Sequence, residues 1–405
     1  MSDSDEDLLR PDLGRSARSA DAHAGESVRV AVDLTLAGRV RTGVGVYARN
    51  LVAHLGKVSL DVLPWRHELG PVGAGPQRLL SALRLASWLQ LHVPRAARRD
   101  RITVYHSPCS LGPLRMPCAR VMTVHDAVAL TMPSQYGAAE RLYFRLFSVV
   151  AARRANAVVV PSRAARDEIA RVYRIPHARL RVIPEAASPR FHPIAPQESA
   201  SVLARYGIRR PYVLFVGANV PRKNVPRLLE AYDAMRRRAG VDAQLLLVGP
   251  PGPATPALLA LTRRLKLHPH LRRLDRVPDD DLPALYSAAA CLAYPSLAEG
   301  FGLPILEAMA CGTPVLTSNC SAMPEVAGDA ALLVDPRRTE AITDGLVRLL
   351  TEDHLREELI ARGLARARAF TWERTARATE EVYRAAAGLA PLEPRPGAPG
   401  DLGEA

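Results

Sequence analysis

Short runs of β-branched and aliphatic residues alternate along this chain with longer stretches in which apolar residues recur every three or four positions. The short runs predict strands, and the longer stretches, which include 76–92 and 136–154, predict amphipathic helices. The predicted strands of the first half are 28–34, 102–107, 120–126, 157–162 and 180–185. Those of the second half are 212–218, 243–249, 274–279, 291–296, 314–319 and 331–336. Such alternation is typical of parallel sheets with helices on both faces.

A proline-rich stretch at 186–199 separates the two sets of elements and has the composition of a linker. We therefore predict an α/β chain of two doubly wound, Rossmann-like domains that face a cleft, at residues 28–188 and 189–372. The polar tail 1–27 and the Pro/Gly-rich tail 389–405 are expected to be disordered. Because ligands of such sheets bind beyond the carboxyl ends of the strands, functional residues should follow strands directly.

Composition narrows the class of protein. The chain has 405 residues, of which 48% are hydrophobic, enough for two sizeable cores. None of its apolar runs approaches the roughly 18 residues that span a bilayer, and its N-terminus is acidic rather than signal-like. The five cysteines are odd in number and lack a CxxC spacing, which argues against a disulfide framework or a zinc site. We therefore expect a cytoplasmic protein.

The net charge of +13, carried mostly by arginine, suits an anionic partner such as a nucleotide, a phospholipid surface or nucleic acid. The abundance of alanine and arginine along the whole chain explains the charge equally well. Aromatic residues make up only 5%, which is low for stacking bases, so we expect no nucleic-acid partner. Four arginines within 93–101 form either a solvated loop or a surface that contacts anionic lipid peripherally, at the inner face of a membrane.

The stretch AEGFGLPILEAMACG places Glu299 in the exit loop of a predicted strand and Glu307 in the helix that follows. The backbone N–H groups of Phe301, Gly302 and Leu303 lie at the start of that helix, where an anion binds readily. Carboxylates only accept hydrogen bonds, so two of them beside an anion site suit a ligand that joins hydroxyls to phosphate, as a nucleotide sugar does. The alternative is one glutamate favoured by the helix dipole and one that is merely solvated.

Three further loops follow predicted strands. FVGANVPRKN carries Arg222 and Lys223, and Lys223 suits a clamp on a diphosphate, although a solvated surface pair is the alternative. TGVGVY places Gly45 after the first strand, where it serves either a ligand or an ordinary loop. His125 ends the strand in VMTVHD and either faces the cleft, in contact with a sugar, or is a core histidine bound to the backbone.

In combination these motifs resemble a retaining glycosyltransferase of family 4, with the GT-B fold. The signature is a glutamate, seven residues and a second glutamate, here Glu299 to Glu307. RTGVGVY, VMTVHD, VPRKN, PVLTSN and ALLVDP occur in family order, and the resemblance covers residues 28–388. One departure is Ala218, where many members carry an arginine, and Arg222 is a candidate for the missing cation.

The resemblance implies that the C-terminal domain holds a nucleoside-diphosphate sugar. Glu307 would bind the ribose, Glu299 the sugar and Lys223 the diphosphate. We therefore predict the catalytic residues Glu299, His125 and Lys223. The predicted substrate-binding residues are Gly45, Arg222, Lys223, Phe301, Gly302, Leu303 and Glu307.

The resemblance also implies that His125 and Gly45 close over the donor from the N-terminal domain. The helix 373–388 would cross back to join that domain. No metal and no other cofactor is expected.

The implied reaction moves a hexose of mannose or glucose type from a GDP- or UDP-hexose to a hydroxyl of a saccharide or lipid-linked acceptor, as in polysaccharide biosynthesis, and retains the anomeric configuration. The first alternative is another GT-B enzyme, a nucleotide-sugar epimerase or a phosphorylase. However, no acidic general-acid constellation and no cofactor-anchoring lysine stands out. The second alternative is a non-catalytic nucleotide- or nucleic-acid-binding protein.

Overall fold

The computed structural model describes residues 28–37, 43–58, 60–67, 76–132, 142 and 144–389. Within this part the chain forms strands β1 to β12. Their bounds are β1 Arg29–Asp33, β2 Asp61–Trp65, β3 Val104–Ser107, β4 Ala119–Thr123, β5 Ala157–Val160, β6 Leu180–Val182, β7 Tyr212–Val216, β8 Gln244–Val248, β9 Leu271–Leu274, β10 Cys291–Tyr294, β11 Val315–Ser318 and β12 Leu332–Val334. The predicted tail 1–27 and all of the predicted tail 389–405 except Leu389 lie outside the described residues.

The strands form two parallel six-stranded sheets, with the orders β2-β1-β3-β4-β5-β6 and β12-β11-β10-β7-β8-β9. In each sheet the first strands along the chain are added toward one edge. The chain then returns to the starting strand, and the later strands are added toward the other edge. The direction reverses between β1 and β3 in the first sheet, and between β7 and β10 in the second. The prediction of two doubly wound domains is confirmed. Doubly wound sheets bind ligands at these reversals, where adjacent loops diverge.

Helices connect the strands on both faces of each sheet. Their bounds are α1 Gly43–Leu55, α2 Pro76–Ser87, α3 Val93–Arg99, α4 Val128–Thr131, α5 Val149–Arg154, α6 Arg163–Tyr173, α7 Pro196–Tyr206, α8 Val225–Ala239, α9 Thr255–Arg264, α10 Leu282–Ser287, α11 Leu303–Ala310, α12 Met323–Ala327, α13 Thr339–Thr351, α14 Asp353–Arg368 and α15 Trp372–Ala386. Two π-helical turns, Trp88–His92 and Phe144–Ser148, precede α3 and α5. The predicted helix 136–154 is therefore helical over its described part, and 136–141 and 143 lie outside it.

Two predictions about elements are wrong, and one strand was missed. Strand β2 was not predicted, because DVLPW carries an aspartate and a proline, which only an edge strand tolerates. The strand predicted at 274–279 lies earlier, at β9, whose two arginines and partial exposure obscure the pattern of an edge strand. The linker predicted at 186–199 ends before α7, because Pro196 occupies the first helical position, where its missing N–H has no partner to lose.

The last helix, α15, packs in the core of the N-terminal domain. Its Trp372 and Tyr383 are almost fully buried among Val30, Leu51 and other residues of β1 and α1. The Tyr383 hydroxyl lies 2.6 Å from His106 Nδ1 on β3. The chain thus returns to its first domain after completing the second, although the exact boundary at 188–189 stays a prediction.

Candidate active site

The candidate site lies at the reversal between β7 and β10, where two loops leave neighbouring strands. After β7 the chain forms a 3-10 turn, Pro221–Lys223, and after β10 it forms the loop that leads into α11. The N–H of Leu297 in the second loop donates to the carbonyl of Arg222 in the first, at 2.7 Å. The parallel topology therefore brings together residues more than 70 positions apart in the sequence.

Two cations surround the carboxylate of Glu299. Arg222 donates to Oε2, and the Lys223 ammonium lies 2.7 Å from Oε1 as an ion pair rather than an aligned hydrogen bond. The same ammonium donates to the Tyr294 hydroxyl. Ser321 fixes the backbone of Glu299: its Oγ accepts from the Glu299 N–H at 3.1 Å and donates to the Glu299 carbonyl at 2.7 Å. The interpretation of Arg222 and Lys223 as a solvated surface pair is wrong.

The electrostatics of this cluster follow from its burial. Burial alone would raise the pKa of Glu299, but the charges of Arg222 and Lys223 outweigh it and lower that pKa to about 2. Burial lowers the pKa of Lys223, whereas the charge of Glu299 raises that of Arg222 in spite of burial. Arg222, Lys223 and Glu299 alone sum to one positive charge, and Asp126 adds a negative charge that acts on both cations from across the cleft. A single cation at about 4 Å from a phosphate charge contributes roughly 4 kcal/mol at an effective dielectric of about 20, an upper-end figure.

Glu307 lies in α11, one turn beyond the loop, and is partly buried. The Tyr286 hydroxyl of α10 donates to Glu307 Oε2 at 2.7 Å. Desolvation raises the pKa of Glu307 to about 7, and this hydrogen bond only partly opposes the rise. Glu299 and Glu307 are therefore two carboxylates of the same strand exit with opposite pKa shifts.

The start of α11 presents backbone donors. Gly302 precedes the helix at φ 111°, a conformation that side-chain-bearing residues rarely adopt. Among the hydrogen bonds of the described part of the chain, none is donated by the backbone N–H of Phe301, Gly302 or Leu303. The side chain of Phe301 turns inward and packs against Phe370, with ring centroids 5.9 Å apart. As far as the described residues go, these three N–H groups are therefore open to an anion.

His125, on the opposite side of the cleft, follows β4. Its Nε2 lies 2.9 Å from the Pro108 carbonyl and its Nδ1 lies 2.9 Å from Glu185 Oε1. A carbonyl and a carboxylate are both acceptors, so the two ring nitrogens donate together when His125 is an imidazolium. Burial lowers the pKa of His125, but Glu185 outweighs it and raises that pKa overall. Both nitrogens are thus occupied within the N-terminal domain, and contact with a sugar stays a prediction.

Gly45 is buried near the start of α1, and this end of the helix faces the C-terminal domain. A Cβ placed on Gly43 would lie 3.7 Å from Leu303 Cδ1 at the start of α11. Tyr47, one turn further along α1, packs edge-on against His125 with ring centroids 4.8 Å apart. Gly43 and Gly45, which lie in the first turn of α1, and the VMTVHD motif therefore line one wall of the cleft.

Four residues of this region were not predicted: Asp126, Glu185, Tyr286 and Ser321. Asp126 follows His125 directly, and its charge acts on Arg222 and Lys223 across the cleft. A strand-exit aspartate was a usable signal in VMTVHD. Glu185 and Tyr286 each support a neighbouring residue through one hydrogen bond and Ser321 does so through two, and no sequence pattern marks such a role.

Comparison with known proteins decides the family. Residues 41–191 match the family model Glycosyltransferase Family 4, and residues 205–366 match Glycosyl transferases group 1. O-antigen chain mannosyltransferase B of Escherichia coli is 34% identical over 366 residues, which cover 85% of this chain and 96% of that protein. This chain belongs to glycosyltransferase family 4. The resemblance drawn from the motifs is confirmed, and this glycosyltransferase is a hexosyltransferase.

Other relatives and solved structures support the same family and fold for this glycosyltransferase. The MMP alpha-(1->4)-mannosyltransferase of Mycolicibacterium hassiacum is 29% identical over 309 residues, which are 72% of each chain. Sucrose-phosphate synthase of Thermosynechococcus elongatus superposes with a TM-score of 0.72 at 21% identity, over 88% of this chain and 98% of that one. Anabaena HepE, solved with UDP and glucose, gives 0.69 at 16% identity, over 88% and 100%. Both superpositions confirm the GT-B fold.

Helix length and hydropathy show whether a helix of this glycosyltransferase could span a membrane. Within the described ranges, every helix is too short or too polar to cross a bilayer.

Proposed function

We propose that this glycosyltransferase transfers a mannose from GDP-mannose to a hydroxyl of a saccharide or a lipid-linked saccharide, with retention of configuration. The observation that carries the proposal is the cluster of Arg222, Lys223 and Glu299 beside Glu307 and three backbone N–H groups that have no acceptor in the described part of the chain. Cations and N–H groups suit a diphosphate, and carboxylates suit the hydroxyls on either side of it. The choice of mannose rests on the mannosyltransferases among its relatives.

In this proposal the donor lies along the reversal between β7 and β10. Lys223 and Arg222 neutralise the diphosphate, and the N–H groups at the start of α11 bind its oxygens. Glu307, one turn into α11, accepts hydrogen bonds from the ribose hydroxyls. Glu299 accepts from hydroxyls of the sugar and keeps its negative charge at neutral pH, because its pKa is about 2.

The reaction needs little covalent chemistry from the protein. The acceptor oxygen attacks the anomeric carbon from the face that the diphosphate leaves, and the bond from that carbon to the phosphate oxygen breaks. The departing phosphate oxygen takes the acceptor proton. Positive charge develops on the sugar and negative charge on the leaving group, so the carboxylate of Glu299 and the ammonium of Lys223 stabilise opposite ends of the transition state.

Product analysis with several donors tests the proposal. The purified protein is incubated with a mannose-terminated oligosaccharide and GDP-mannose, UDP-glucose or GDP-glucose in separate reactions. We expect transfer from GDP-mannose, and NMR of the product should show the α-configuration of the donor. Transfer from UDP-glucose alone would show that the donor is a UDP-hexose and not GDP-mannose. Donor isomerisation, phosphorolysis, or failure to bind any nucleotide sugar would contradict the proposal.

We also propose peripheral contact with anionic lipid through the N-terminal domain. Leu80, Leu83 and Leu91 are each at least half exposed, and their spacings of three and eight residues place them on one side of the helical stretch. The arginines of 93–101 continue from this apolar strip. Exposed leucines beside arginines suit the boundary between headgroups and acyl chains.

Co-sedimentation with vesicles tests the lipid contact. We expect binding to vesicles with an anionic phospholipid at low salt, weaker binding at high salt and little binding to neutral vesicles. Leu83→Ser should reduce binding, whereas Leu259→Ser, which alters an exposed leucine of the C-terminal domain, should not. The arginines of 93–99 lie on α3, so their interpretation as part of a loop is wrong. Equal sedimentation with anionic and neutral vesicles would leave them as a solvated helix surface.

A further inference from the structure

The two domains meet directly at the loop that carries Glu299. The Ser162 hydroxyl of the N-terminal domain donates to the Gly300 carbonyl at 2.7 Å. Ser162 also caps α6, because its Oγ accepts from the Ala165 N–H at 3.0 Å. One buried hydroxyl thus ties the start of a helix in one domain to the residue next to Glu299 in the other.

A carboxylate of the C-terminal domain completes the start of the same helix. Both oxygens of Glu325, in α12, accept from the Arg163 N–H at 2.9 Å, and Oε2 also lies 3.3 Å from the Ala164 nitrogen. The Arg163 guanidinium lies 3.6 Å from Oε1. A negative charge at the N-terminus of a helix is favoured by the helix dipole and by unpaired N–H groups. The first turn of α6 therefore takes part of its cap from the other domain.

The fit around Gly300 leaves no room for a side chain. A Cβ on Gly300 would lie 1.8 Å from the His125 carbonyl oxygen and 3.3 Å from Asp126 Cβ. The backbone of Gly300 is not in the left-handed region, so alanine suits its conformation and only the opposite domain excludes it. Closure of the cleft thus requires glycine at this position.

From these contacts we propose that Glu325 is a positioning residue, which closes the cleft by capping α6 and so presses Ser162 and His125 against the Glu299 loop. The proposal rests on the proposed function only for its kinetic consequence. With the carboxylate in place, the N-terminal wall meets the donor loop in one geometry. Without it, the N–H groups at the start of α6 are left to water, which serves them equally well in an open state.

The expected effect is a shift of the closing equilibrium. Hydrogen bonds to a charged group are worth enough to change such an equilibrium by about 10-fold or more. Glu325→Ala should therefore open the cleft. Gly300→Ala should open it too, by collision rather than by loss of attraction. Glu340→Ala is the matched control, because Glu340 is an exposed glutamate in the first turn of the next helix, α13, without an ion pair among the described residues.

Solution X-ray scattering of the full chain, alone and with GDP, tests closure without an assay. We expect a larger radius of gyration for Glu325→Ala and Gly300→Ala than for the wild type and Glu340→Ala. Wild-type scattering from both test variants would overturn the proposal, as would an equal expansion of the control. Because scattering needs no turnover, a failure of the proposed mannosyl transfer leaves this outcome readable.

Kinetics distinguish positioning from loss of structure. Glu325→Ala should bind free GDP within about 2-fold of the wild type, because the nucleotide site lies within the C-terminal domain, while kcat/KM for transfer falls by about 10-fold. Glu325→Gln keeps an acceptor but loses the charge, so it should recover part of the loss. Unchanged kcat/KM in Glu325→Ala, or a parallel loss of GDP affinity, would overturn the assignment.

Discussion

The two walls of the cleft differ in what their polar groups are bound to. On the C-terminal wall, Arg222 and Lys223 both pair with Glu299, and the N–H groups at the start of α11 have no acceptor within the described ranges. On the N-terminal wall, both nitrogens of His125 are taken by Glu185 and the Pro108 carbonyl. The first wall is prepared to bind an anion, whereas the second offers a fixed surface.

This difference predicts how substitutions divide. Changes on the C-terminal wall should alter the affinity for a free nucleoside diphosphate, because charge and donors there meet it in every state. Changes on the N-terminal wall should spare that affinity and reduce transfer, because the wall acts only when donor and acceptor are both enclosed.

The largest effect is expected for Lys223→Ala. It removes the buried cation that we propose to contact the diphosphate in ground and transition states, so both transfer and GDP affinity should fall, with turnover lower by about 10²–10³-fold. Lys57→Ala, at an exposed lysine of the N-terminal domain, is the control. Turnover and calorimetric GDP affinity are measured for both variants. If Lys223→Ala binds GDP as tightly as the wild type, the proposal that the diphosphate binds at this wall is wrong.

Glu299→Gln should lower turnover by about 100-fold and weaken free GDP binding much less, because free GDP lacks the sugar that Glu299 is proposed to bind. The variant also tests the pKa. A carboxyl whose pKa is lowered from 4.5 to about 2 stabilises the fold above pH 4.5, and that contribution is lost as the pH falls towards 2. The glutamine variant should lack this part of the acid transition. Parallel losses of turnover and GDP affinity would contradict the assigned role.

Glu307→Ala should weaken GDP binding by roughly 10- to 150-fold, the worth of hydrogen bonds to a charged group. Because the pKa of Glu307 is about 7, GDP affinity of the wild type should rise as the pH rises through 7 and the carboxylate forms. Tyr286→Phe removes a hydrogen bond that lowers this pKa, so the rise should move to higher pH. Tyr206→Phe, which removes a tyrosine–carboxylate bond to Asp281, is the control and should leave the pH profile unchanged.

The smallest effect is expected on the N-terminal wall. Glu185→Gln leaves an amide beside His125 and removes the charge that favours the imidazolium, so the pKa of His125 should fall. Transfer should then decrease by about 10-fold, and the decrease should be greater at high pH than at low pH. GDP affinity should stay within about 2-fold of the wild type. A loss of GDP affinity as large as that of Glu307→Ala would contradict the claim that only the C-terminal wall determines the affinity for free nucleotide.

The alternation of apolar runs and amphipathic stretches was enough to predict both doubly wound domains, because buried parallel strands leave a strong hydrophobic signal. It failed at β2 and β9, which are edge strands with charged residues or proline. The Glu299–Glu307 spacing located the candidate site. The spacing could not predict that Glu299 pairs with Arg222 and Lys223. It also could not predict the hydrogen bond between His125 and Glu185. These contacts join residues 60 or more positions apart, which only the fold brings together.

The most direct test of the central claim, that the nucleotide binds the C-terminal wall, is hydrogen–deuterium exchange of the full protein with and without saturating GDP, repeated with UDP. We predict the strongest protection at 217–224 and 299–308, the loop after β7 and the start of α11, with less protection on β1, β3 and β4. Saturating nucleotide that leaves both segments unprotected, or that protects the N-terminal strands most, would contradict the account.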